Sequence, residues 1–129
     1  MRFARENTND RGEKLSLGSA QYIIRQFKIY IEMVWEILNE MPADKNQHFV
    51  VAPFPPPPLI GRVQDLLMTY TKVYRNFCFD VFGKTLLKNT NYDNSFEIYS
   101  KYLEKYRSKI DSKKYPVLQS KIWPKFTNQ

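Results

Sequence analysis

The chain has one cysteine, Cys78, so no intramolecular disulfide can staple it and nothing in its thiol content calls for an oxidising compartment. Phe77 and Phe79 flank that cysteine, which reads as a buried, inert thiol. The single histidine, His48, has no second His and no Cys or carboxylate at ligand spacing, and this argues against a metal centre. The four glycines are isolated from one another, so there is neither a phosphate-cradling loop nor a nucleophile elbow. Nowhere do the roughly 18 consecutive uncharged residues of a membrane span occur. With no convergent set of nucleophile, base and oxyanion donor, the sequence points away from an enzyme, and no catalytic residue, cofactor, metal or small-molecule substrate is expected.

Aromatic residues are plentiful instead: nine Tyr, nine Phe and two Trp make up 16% of the chain. Such side chains dominate buried interfaces. The net charge is +7, which suits polyanions or an acidic protein face, yet the Lys and Arg are scattered rather than gathered into the basic stripe of a dedicated nucleic-acid protein. Arg2, Arg5 and Arg11 suggest an organellar presequence, but Glu6, Asp10 and Glu13 break its acid-poor pattern, so a cleaved leader is not expected.

Periodicity predicts a mainly α fold of three amphipathic helices, about 19–41, 60–82 and 95–110, with extended arms over 1–18 and 111–129 and a polyproline spacer over 52–58. In the first, Ser19 is the expected N-cap and Pro42 ends the helix. Arg25, Lys28, Glu32, Glu36 and Asn39 make one polar stripe, and apolar side chains cover about 200° of the remaining circumference at 100° per residue. A surface that wide calls for more than one covering partner. Tyr22, Phe27, Ile31, Trp35 and Leu38 are its candidate contact residues. The second helix repeats Val63, Leu66, Leu67, Tyr70, Val73, Tyr74, Phe77 and Val81 at helical steps, with Gly83 as C-cap. Thr85 to Lys88 reads as an added turn. The third carries a seam of Phe96, Tyr99, Leu103, Tyr106 and Ile110, and beyond it Pro116 and Pro124 predict an extended tail.

Three motifs invite a chemical reading. Glu32, Glu36 and Glu40 share a helical face, but carboxylate-bridged metal helices pair Glu with a His three residues on, and none is present. A salt-bridged stripe is the simpler account, with Lys28 one turn from Glu32. Phe54-Pro55-Pro56-Pro57-Pro58 resembles the short phenylalanine-polyproline ligand of EVH1 domains, a likeness of five residues, with Phe54 and Pro56 as contacts. A stiff spacer between two strong helices is the plainer alternative. In the tail, Tyr115, Trp123 and Phe126 alternate with lysines, a pattern that fits a clip onto a neighbouring subunit, a membrane interface or single-stranded RNA, in that order.

Together these features predict a non-catalytic accessory subunit of a large multiprotein assembly, with a mitochondrial inner-membrane respiratory complex or ATP synthase as the leading candidate. Its partners would be other protein subunits, with lipid contact at the membrane interface and nucleic acid ranking behind. An RNA-contacting protein of an organellar ribosome and a soluble adaptor presenting the polyproline segment are the alternatives.

Overall fold

A computed structural model describes residues 16–40, 47–89, 96–110 and 114–124, with Phe96 described by its backbone only. The fold is mainly helical, with a small two-stranded sheet. In chain order the elements are α1 (Leu17–Glu40), β1 (Phe49–Val51), α2 (Pro58–Met68), α3 (Thr71–Phe82), β2 (Thr85–Leu87), α4 (Phe96–Lys105), α5 (Arg107–Ile110) and α6 (Pro116–Ile122). The expected N-terminal arm up to Leu15 and the tail residue Phe126 lie outside the described residues.

Helix α1 is the axis around which the rest is wrapped. Ala20, Ile23, Phe27, Tyr30, Val34 and Ile37 recur at three- and four-residue steps and are all buried. Burying one such large side chain contributes about 1.5–3 kcal/mol. The helix starts a turn earlier than Ser19 predicts, because the Ser16 hydroxyl accepts the Ser19 backbone N–H at 3.1 Å and so takes the capping role.

The expected second helix is two helices. Thr69 turns its Oγ1 back onto the Leu66 carbonyl at 2.6 Å, and Tyr70 leaves the helical region at φ −100°, ψ 76°. A β-branched residue whose hydroxyl competes for the backbone breaks the run here. The break aims Tyr74 inward, where its hydroxyl donates to the Leu86 carbonyl at 2.7 Å and accepts from Gln64 Nε2 at 3.1 Å. Burial pushes the Tyr74 phenol well above its ordinary range, so it stays a neutral donor. Gly83 closes α3 at φ 70°, its N–H on the Phe79 carbonyl, as the left-handed C-cap that its position predicts. Cys78 is buried on the inner side of α3.

Thr85 to Leu87 is a strand rather than a turn, paired in parallel with Phe49 to Val51 in the register Phe49↔Thr85, Val50↔Leu86, Val51↔Leu87. The expected third helix is present from Phe96 to Ile110 with one hitch at Tyr106, whose carbonyl accepts from both Lys109 and Ile110.

The C-terminal segment overturns the expectation of an extended arm. Pro116 does not preclude a helix but starts one, sitting at N1 where no backbone N–H is needed. Helix α6 then packs on α1 and α2 and delivers Ile122 and Trp123 to the core, both buried. Trp123 Nε1 donates to Gln26 Oε1 at 2.8 Å, and the Tyr99 hydroxyl ties down the Pro124 carbonyl at 2.9 Å.

Candidate interaction surfaces

The residues singled out as partner contacts divide into those the chain uses for itself and those it leaves outward. Tyr22, Phe27 and Ile31 are buried, and Leu38 is half-buried against the same core. Phe54 is fully buried. Its ring lies edge-on to Tyr30 at 5.3 Å between centroids and to Tyr99 at 5.6 Å, while the Tyr30 hydroxyl donates to the Phe54 carbonyl at 2.7 Å. Burial raises the Tyr30 phenol far above its usual value, which keeps that donor protonated. A polyproline reader needs the Phe ring within reach, and here the ring is a core side chain. Pro56 is half-buried, Pro57 holds polyproline dihedrals (φ −54°, ψ 153°), and Pro58 opens α2. The segment is a stiff lead-in to a helix.

Tyr115 is half-buried against Tyr22, with centroids 5.1 Å apart. Trp123, expected to clip a neighbour, clips α1 instead. Among the described candidates only Trp35 is truly outward, at 49% exposure. It lies beside the polar stripe of α1, where an indole gains nothing from water.

The three carboxylates of α1 are spent within the chain. Helices α4 and α5 run antiparallel along that flank, so Glu40 meets the Tyr102 hydroxyl, Glu36 meets Lys105 and the Tyr106 hydroxyl, and Glu32 meets Lys109 at 3.0 Å. Lys109, not Lys28, is the partner of Glu32. Hydrogen bonds from Lys105, then from Tyr106, hold the Glu36 carboxyl below its ordinary value, and the bond to Glu36 raises Lys105. No cluster of three or more His, Cys, Asp or Glu side chains is placed to hold a metal among the described residues, and none of the described helices is long and apolar enough to cross a membrane.

What sequence reasoning missed is the small sheet. Val50 and Leu86 point inward, leaving Phe49, Val51 and Leu87 on the outer face at 41%, 47% and 38% exposure. Thr85 N–H donates to the His48 carbonyl and Ala52 N–H to the Leu87 carbonyl, so the backbone groups of Phe49 and Val51 face away from β2. The two edges differ. The Leu86 carbonyl on the β2 side is capped by Tyr74, whereas among the described residues no strand pairs with the other side of β1. The alternation in Phe49-Val50-Val51 is too short to announce a strand, and its pairing partner lies 36 positions on, which no local pattern reports.

No protein-family model, curated protein or solved structure matches this chain.

Proposed function

We propose that the chain is a non-catalytic accessory subunit of a large protein assembly, and that its outward docking surface is the β1–β2 face. The observation that carries this reading is the row Phe49, Val51 and Leu87, exposed together beside the edge of β1 that no described strand pairs with. Scattered apolar side chains on a surface mean little, but a contiguous row next to unpaired backbone groups is a template for a neighbouring strand. Trp35 supplies a further anchor of the kind that concentrates binding energy.

The leading home for such a subunit is a mitochondrial inner-membrane machine, a respiratory complex or ATP synthase. The net charge of +7 and the abundance of Tyr, Phe and Trp support it, since basic and aromatic side chains suit both acidic subunit faces and the membrane interface. The test is native purification of the tagged full-length chain from gently solubilised mitochondrial membranes. Co-migration with an inner-membrane complex is the expected result, and co-sedimentation with ribosomes overturns it. Val51→Lys places a charge on the open edge and should reduce co-migration while leaving thermal stability unchanged.

A further inference from the structure

A cleft of about 450 Å³ opens between α1, the end of α5 and the approach to α6, a size within the range of small-ligand sites. Its floor is apolar and aromatic: the Tyr22–Tyr115 ring pair with Ile29 and Ile110. Four cations line it, Arg25 and Lys28 from one face of α1, Lys109 from the end of α5 and Lys114 from the approach to α6. Among the described residues its lining has a single carboxylate, Glu32, held by Lys109 at 3.0 Å. Arg25, Lys28 and Lys114 form no salt bridge among the described residues; Arg25 lies over the Tyr22 ring at 6.0 Å and Lys114 over the Tyr115 ring at 5.4 Å.

One buried group sharpens what the cleft would hold. Gln26 lines it and is only 3% exposed. Its Oε1 is engaged by Trp123 Nε1, so the end of the amide left to bond is Nε2, a donor with no hydrogen bond among the described residues. The described lining therefore offers donors and positive charge over an aromatic floor, with Glu32 already engaged. A carboxylate brings two acceptor oxygens and a single charge, whereas a phosphate ester brings three acceptor oxygens and a charge of about −1.5 to −2, the closer match to several cations.

We propose that this cleft binds a single phosphate group carried on an apolar or aromatic stem, the phosphate between Arg25, Lys28, Lys114 and Gln26 Nε2 and the stem against the Tyr22–Tyr115 pair. The proposal stands apart from the docking role of the β1–β2 face and survives its failure. Such a phosphate has two sources, a soluble ester or a lipid headgroup. The experiment titrates the full chain with phenyl phosphate by calorimetry and, separately, with phosphatidylcholine vesicles with and without phosphatidic acid. Saturable one-site binding of phenyl phosphate, weakened about tenfold by Lys28→Gln or by Arg25→Gln and unchanged by Lys101→Gln, supports a soluble ester. Binding to the phosphatidic acid vesicles alone, with the same dependence on Arg25 and Lys28, supports a headgroup. Arg25 and Lys28 are exposed, so an unchanged circular dichroism spectrum and Tm accompany both substitutions. No saturable binding to either probe, or an equal loss from Lys101→Gln, overturns the proposal.

Discussion

Two flanks of α1 are held by unlike forces. On one, Ile23, Tyr30 and Val34 sit among side chains delivered from Phe54, Ile60 and Trp123, with Tyr30 bonded to the Phe54 carbonyl and Trp123 to Gln26 Oε1. On the other, Glu32, Glu36 and Glu40 meet Lys109, Lys105, Tyr106 and Tyr102 in a ladder open to solvent on most of its rungs. Burial of apolar area is strong but indifferent to register. Charge pairs at the surface add little stability, yet their spacing aligns Glu40 with Tyr102 and Glu32 with Lys109, fixing how far α4–α5 slides along α1. The first flank makes the fold stable and the second makes it specific.

Substitutions can break that contrast, and the largest effect belongs to the dry flank. Trp123→Ala removes a fully buried indole and strands the Gln26 acceptor, so a loss of about 3–5 kcal/mol in urea unfolding is expected. A tail that served only as an external clip would show almost none. Tyr30→Phe keeps the ring but leaves the buried Phe54 carbonyl without its donor, at a cost of about 1–3 kcal/mol on the same assay.

On the wet flank the effect is smaller and depends on conditions. The folded Glu36 carboxyl titrates below its unfolded value, so its contribution is present above pH about 4.3 and is lost as pH falls through the lower folded value. Lys105 is raised, so its share is present below its unfolded pKa of about 10.4 and is lost as pH rises through the higher folded value. Glu36→Gln should flatten the acid limb of a Tm-against-pH profile, and salt at about 1 M should shrink the difference from wild type at neutral pH. The smallest effect on folding is predicted for Trp35→Ala, within about 0.5 kcal/mol in the same unfolding assay because the residue is 49% exposed. Its effect should appear instead as weaker retention in the native assembly.

The regularities that survive from sequence to structure are those carried by a single element. The three- and four-residue steps of α1 and the left-handed cap at Gly83 depend only on near neighbours. What escapes depends on distant ones. Pro116 reads as a helix breaker, although the same ring at N1 is a helix starter, and only the seat waiting for Trp123 on α1 decides between them. Thr69 resembles any residue of a continuous helix until Tyr74 has Leu86 to reach. The cationic cleft is invisible for the same reason: Arg25 and Lys28 are more than 80 positions from Lys109 and Lys114, so scattered charges in the chain become neighbours in the fold. Trp35 and Phe54 invert the usual guess. Trp35 has the sequence context of a core anchor and remains outside, while Phe54 has that of a displayed ligand and lies inside.

The bond between Gln26 and Trp123 spans 97 positions, and this separation has a meaning in time. During synthesis at about 5–20 residues per second, α1 emerges first and waits roughly 5–20 s for the segment that seals it. Through that interval Phe54 and α2 can cover part of its apolar face, but the seat of Trp123 stays empty. Ribosome-bound chains halted before residue 123 should therefore be captured by holdases more readily than chains released after it, as crosslinking to a holdase would show.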